Sequence, residues 1–72
     1  MNYSVILVDS ISHAMRIEKI LTSNGLECKM IPVPRHLSSD CGVCVRVLSD
    51  DVASIQKIFD QRQVVIQRFE AL

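Results

Sequence analysis

The segment Pro32-Val33-Pro34-Arg35-His36-Leu37-Ser38-Ser39-Asp40-Cys41-Gly42 lies between two strand-like stretches and has no apolar period of its own. It contains both prolines, one of the two glycines and one of the three cysteines. Each proline fixes its own φ angle and favours extended geometry in the preceding residue, so Pro32 and Pro34 should shape a stiff loop. Connections in compact domains usually have about four to six residues, and longer ones are commonly functional. The sequence therefore predicts a functional loop over residues 32–42.

Apolar periodicity on both sides of this loop predicts four strands and two helices. In chain order they are a strand over 3–8, a helix over 12–24, strands over 27–32 and 43–48, a second helix after Ser49-Asp50-Asp51, and a strand over 64–69. Ser10 or Ser12 can cap the first helix, and Gly25 can end it in a left-handed conformation. Carboxylates at Asp50 and Asp51 suit the start of the second helix, and a polar turn is expected over residues 61–63.

This element order predicts an α+β fold. Two right-handed β-α-β units in one sheet give a ferredoxin-like βαββαβ arrangement, a two-layer α/β sandwich with both helices on one face of a four-stranded sheet. We expect Val43, Val45 and Val47 to face the helices. The opposite face should form a mixed surface suited to pairing with a second copy, and the residues expected there are Ile6, Val8, Cys44 and Arg46.

Composition limits the classes of function that need to be considered. With 72 residues the chain forms one domain over 1–72, and its 49% hydrophobic content suggests an efficient core or a covered apolar surface. Eight basic and eight acidic residues give zero net charge, so neither nucleic acid nor a membrane is an expected partner. The longest apolar run is 5–8, too short for a transmembrane helix or a signal-peptide core. A strand pattern begins almost at Met1, so we expect no targeting segment and a cytoplasmic location.

Cys41 is the strongest candidate for chemistry. A cysteine attacks as its thiolate, whose formation a neighbouring cation or converging backbone amides favour. Arg35 is the natural stabiliser, Gly42 lets the backbone approach closely, and Ser38 and Ser39 either line an anion pocket or serve as plain turn residues. Asp40 opposes thiolate formation if it points the same way. The alternative interpretation is an ordinary loop cysteine packed against the sheet edge.

The spacing Cys41-Gly42-Val43-Cys44 matches a redox pair, but its context does not. Extended residues three apart lie on the order of 10 Å from each other, whereas a disulfide needs about 4.4 to 6.8 Å between Cα atoms. Only a tight turn at Gly42 would permit the bond, so we interpret Cys44 as a small sheet residue and Cys28 as a half-buried strand residue. Four ligands with zinc spacing are absent from the sequence, so we expect no metal site and no cofactor.

The chain also resembles a known family. The segments that carry the resemblance are His13-Ala14-Met15-Arg16-Ile17-Glu18-Lys19-Ile20-Leu21, Gly25-Leu26, Ile31-Pro32-Val33-Pro34-Arg35 and Ser38-Ser39-Asp40-Cys41-Gly42. Together they are similar to the putative selenium/sulfur carrier protein-like family of small bacterial domains. In the family pattern position 44 is usually small and apolar, a role that Cys44 fits, and position 36 is variable or acidic, which gives His36 no implied role.

The resemblance implies that Cys41 holds sulfur or selenium as a persulfide or selenosulfide. Arg35, Ser38, Ser39 and Gly42 would stabilise the anion, and the partners would be donor and acceptor proteins. Glu18 and Lys19 either pair with the loop or remain solvated charges. The competing hypothesis is a non-catalytic interaction or small-anion-binding module that forms a homodimer through the open sheet face. A thiol–disulfide redox protein is a third alternative and requires a Cys41–Cys44 bond.

Overall fold

The computed structural model describes residues 2–37 and 41–72. In chain order the elements are β1 (Tyr3–Leu7), α1 (Ile11–Ser23), β2 (Cys28–Pro32), β3 (Val43–Leu48), a 3-10 turn (Ser49–Asp51), α2 (Val52–Arg62) and β4 (Arg68–Ala71). The strands pair antiparallel in one four-stranded sheet in the order β2-β3-β1-β4. The predicted α+β class, with two helices and a four-stranded sheet, is confirmed. None of the helices in the described part of the chain is long and apolar enough to span a membrane.

Both helices contribute to one core cluster. Its buried members come from β1 and the residue after it, α1, β3, α2 and the segment after α2: Ile6, Val8, Ala14, Ile17, Ile20, Leu21, Val45, Val47, Ile55, Phe59 and Val64. Because Val45 and Val47 alternate along β3, one face of that strand points into this cluster, and Val43 packs against it. The predicted helix-facing side of β3 is therefore confirmed.

A second apolar cluster occupies the other face of the sheet. Val5, Leu7 and Cys44 are each 0% exposed, and Ile31, Val33 and Leu37 pack over them. The prediction that Ile6 and Val8 lie on an open face is wrong, since both belong to the helix-side core. The run of apolar residues in β1 has no alternation, because helices cover one face and the loop covers part of the other.

The ends of α1 follow the sequence signals. The backbone N–H of His13 donates to Ser10 Oγ at 3.1 Å, so Ser10 is the cap. Gly25 has φ +73°, and Leu26 N–H donates to Leu21 O at 3.0 Å, as expected for a helix that ends at a left-handed glycine. At the start of α2 no side-chain cap forms; the 3-10 turn leads directly into the helix.

The predicted bounds of the last strand are wrong. Residues 64–69 were expected to form it, but β4 covers Arg68–Ala71. Val64 instead closes the end of α2, where its N–H donates to Phe59 O at 2.8 Å and its side chain joins the helix-side core. Because α2 continues to Arg62, the chain needs the following residues to return to the sheet edge. Apolar content alone could not separate this helix-end contact from a strand.

Gln63 ends α2 in a left-handed conformation, with φ 56° and ψ 41°. A side chain with a Cβ is disfavoured there, whereas glycine adopts that conformation without steric cost. We expect Gln63→Gly to raise the free energy of unfolding by about 0.5 to 1 kcal/mol. Urea unfolding measures it, with Gln61→Gly inside α2 as the matched control, expected to be destabilised. An unchanged or lower stability for Gln63→Gly would contradict the argument.

Candidate functional site

The long loop is fastened at its base and along one side. Val33 N–H donates to Gly42 O at 3.0 Å, which extends the β2–β3 ladder one step past the Pro32–Val43 pair. Leu37 N–H donates to Pro34 O at 3.0 Å and closes a tight turn around residues 35–36. Because Val33 and Leu37 also pack on the second cluster, the first half of the loop lies against the sheet face away from the helices.

Cys41 lies just before β3, at the end of the sheet where the loop is anchored. Its side chain is half-buried and packs against the helix-side core. Gly42, which follows it, has φ +77°, a left-handed conformation that glycine adopts without steric cost. Leu7 at the end of β1 pairs with Cys44, and α1 begins at Ile11 soon afterwards, so the N-terminus of α1 lies at the same end of the sheet.

Cys44 differs from Cys41 in its surroundings. It is 0% exposed in the second cluster, and its Sγ donates to Pro32 O at 3.9 Å. Burial raises the pKa of the Cys44 thiol, and a negative charge at Cys41 would raise it further. The two cysteines pack against clusters on opposite faces of the sheet, and no disulfide joins the three cysteines. Cys44 is therefore a buried sheet residue, as the odd spacing predicts.

Of the polar residues predicted to act in the loop, the structure describes Arg35 but not the two serines. Arg35 and His36 are exposed, and within residues 2–37 and 41–72 Arg35 forms no hydrogen bond or ion pair. Glu18 and Lys19 form no ion pair with it, since the single ion pair in that part of the chain joins Arg68 and Glu70 at 2.6 Å. Ser38, Ser39 and Asp40 lie outside the described residues, so the roles assigned to them remain predictions.

Cys28 holds a structural position. It is half-buried, and its Sγ lies 3.6 Å from both Glu18 O and Thr22 Oγ1, where it links β2 to α1. No group of three or more His, Cys, Asp or Glu side chains among the described residues could hold a metal ion. Sequence reasoning missed the anchoring role of Val33 and Leu37; their apolar character inside a polar loop was the available signal.

Gly42 is suited to a direct test of the loop's backbone. No heavy atom lies within 4 Å of a Cβ added there, so a larger residue meets no clash and only the positive φ opposes it. We expect Gly42→Ala to lower the free energy of unfolding by about 1 to 2 kcal/mol. Gly42→Asn should cost less, because asparagine tolerates the left-handed region. Equal stability of the wild type and Gly42→Ala in urea unfolding would refute this account.

The sequence profile of the putative Se/S carrier protein-like family matches residues 2–69. No curated protein and no solved structure matches the chain. The matched segment includes β1 to β3, both helices and the loop with Cys41. Since the match covers almost the whole sequence, the chain belongs to the putative Se/S carrier protein-like family.

Proposed function

We propose that this protein carries sulfur or selenium on Cys41. The Cys41 thiolate would attack the outer sulfur of a donor protein's persulfide. A new S–S bond forms at Cys41 while the donor's S–S bond breaks and its thiolate leaves. A second protein would take the outer atom by the same exchange, which returns Cys41 to a thiolate. Selenium in place of the outer sulfur gives a selenosulfide by equivalent steps.

The observation that carries this proposal is the contrast between the two thiols nearest the loop. Cys44 is sealed under Val33 and Leu37, and its raised pKa keeps it a neutral thiol, so it is a poor nucleophile. Cys41 is half-exposed beside Gly42 and lies within the family match. A carrier needs one thiol that a partner can reach, and of this pair Cys41 meets that condition.

In this proposal several groups near the loop hold the carried anion. The N-terminus of α1 lies at the same end of the sheet as Cys41, and we assign its partial positive charge to binding the persulfide anion. We assign Arg35, Ser38, Ser39 and the backbone at Gly42 to further stabilisation, and Pro32 and Pro34 to holding the loop's shape. The protein requires no cofactor in this scheme, since the thiol itself is the carrier.

We further propose that the fold is the ferredoxin-like βαββαβ arrangement. It is supported by the element order and by antiparallel pairing in which β3 separates β1 from β2, and β1 separates β3 from β4. Each helix would then connect two parallel strands that have one strand between them. In this arrangement the β1–α1 connection and the long β2–β3 loop lie at the same end of the sheet.

Sulfur loading tests the proposed function directly. Reduced protein is incubated with inorganic polysulfide, trapped with an alkylating reagent and analysed by intact-mass and peptide mass spectrometry. We expect one added sulfur atom on Cys41 in the wild type and in the matched variants Cys28→Ala and Cys44→Ala. Cys41→Ser should lose the adduct. Loading of Cys41→Ser to the wild-type extent, or labelling spread evenly over all three cysteines, would reject Cys41 as the carrier.

A further inference from the structure

The sheet face opposite the helices carries two cations directly across from each other. Lys29 on β2 pairs in register with Arg46 on β3. Ile31 and Cys44, two residues along each strand, belong to or pack on the second cluster, so the side chains of Lys29 and Arg46 share that face. Like charges directly opposite each other destabilise an antiparallel pair. Folding alone gives no reason to place them together.

Arg46 is held in place by an aromatic ring. Its guanidinium carbon lies 4.3 Å from the centroid of the Tyr3 ring, a distance typical of a cation–π contact. Within the described residues neither Lys29 nor Arg46 has an ion pair, and the carboxylate that the strands present on this face, Glu70, is bonded to Arg68. Lys29 and Arg46 are therefore two neighbouring cations on this face without an ion-pair partner among the described residues.

The loop adds a third cation to the same side. Val33 and Leu37 pack on the second cluster, and the turn between them carries exposed Arg35. The positive charge thus extends from the middle of β2 and β3 toward the end of the sheet where Cys41 lies. Three of the chain's eight basic residues, Lys29, Arg35 and Arg46, therefore lie on this side of the sheet, whereas Cys41, at the end of the sheet where the loop is anchored, packs against the helix-side cluster.

From this arrangement we infer that Lys29, Arg46 and Arg35 form a docking face for an acidic surface on the protein that exchanges sulfur or selenium with Cys41. The inference rests on the proposed function and specifies the partner's chemistry. Carboxylates of the partner would neutralise the like charges of Lys29 and Arg46 and bring its reacting sulfur toward the loop. Complementary charge of this kind raises the rate of encounter and selects the partner.

A protein partner fits this face better than a second copy or a nucleic acid. In a two-fold dimer the same face meets itself, so the cations of one protomer would oppose those of its partner. Single-stranded nucleic acid binds through exposed aromatic rings on which bases stack. On this face the Tyr3 ring is already covered by the Arg46 guanidinium. Clustered carboxylates remain the complementary chemistry.

A titration with a hexaglutamate peptide, followed by the amide NMR spectrum, tests this docking face. We expect shifts at Lys29, Arg46 and the loop, and affinity that falls with added salt. Lys29→Glu/Arg46→Glu should weaken binding by about tenfold or more, because two favourable surface pairs become repulsive. The control Lys19→Glu/Lys57→Glu makes the same change in net charge at exposed positions on the helices and should bind like the wild type. Single Lys29→Glu, at an exposed strand position, is measured alongside in case the double variant folds poorly.

Loss of this face and loss of the proposed function give different results. Lys29→Glu/Arg46→Glu should still take up sulfur on Cys41 from inorganic polysulfide, because that small donor needs no docking. Equal weakening in the two double variants would overturn the inference. So would tighter binding of a thymidine oligonucleotide than of the peptide, or a salt-independent dimer formed through this face. Any of these results leaves the sulfur-loading experiment to judge Cys41 by itself.

Discussion

Replacing Leu7 by alanine is expected to lower the free energy of unfolding by about 2 to 5 kcal/mol. Leu7 is 0% exposed in the second cluster, where it pairs in register with Cys44 on one side and Arg68 on the other. A chain of this size has a total stability of only about 4 to 10 kcal/mol. Losing the contacts that Leu7 makes therefore removes a large part of the free energy of unfolding. Urea unfolding measures this loss.

Leu72→Ala provides the matched control for this substitution. Leu72 is 52% exposed, so the same chemical change should cost less than about 0.5 kcal/mol. Leu7→Ala should also loosen the loop, because Val33 and Leu37 pack on the same cluster. Faster hydrogen exchange at Val33 N–H, which is bonded to Gly42 O, would report that loosening. Similar stabilities for Leu7→Ala and Leu72→Ala would show that the second cluster contributes little.

Cys44 is expected to resist alkylation in the folded protein by about a hundredfold or more relative to the urea-unfolded chain. Its thiol is fully buried, and burial, with a contribution from Cys41, raises its pKa above the ordinary value of 9.0. Iodoacetamide can therefore react with Cys44 only when the second cluster opens locally and the thiol ionises. Cys41 should react first, as peptide mass spectrometry over a time course will show. Equal rates at Cys41 and Cys44 would contradict the sealed position of Cys44.

The same raised pKa gives a pH dependence of stability. Because the folded-state pKa of Cys44 lies above its unfolded value, its contribution is fully present below pH 9.0 and is lost as the pH rises through the folded-state pKa. Urea unfolding of the wild type above that pH should show falling stability. Cys44→Ala should show a shallower fall, since the variant has no thiol to ionise. Parallel curves for the two proteins would rule out Cys44 as the source.

Local signals predicted most of the fold. Ser10, Gly25 and the alternating valines of β3 each specify one backbone conformation or one face, and each behaves as expected. The faces of β1 were not predictable, because its apolar residues are buried on both sides and only the tertiary positions of the helices decide which side is which. The start of β4 depended on where α2 ends, at the left-handed Gln63, a residue type that gives no such signal.

The sequence singles out Cys41 as a candidate thiol, and its role stays a prediction; the groups around it were harder to predict. The spacing to Cys44 and the glycine after Cys41 identified the region, and the family match includes it. The paired cations Lys29 and Arg46 could not be found from the sequence, since their juxtaposition follows from strand register. The register depends on strands that are distant along the chain. The net charge of zero does not show which charged residues lie side by side.

In this strand order β2 and β4 are the two edge strands of the sheet. β2 ends in Pro32, which has no amide hydrogen to donate, and β4 has only four residues. Short edge strands and prolines on edge strands are two ways in which natural sheets prevent strands of other chains from pairing with them. Neither edge of this sheet therefore offers a long strand with unpaired backbone groups onto which another chain could add and start a fibre.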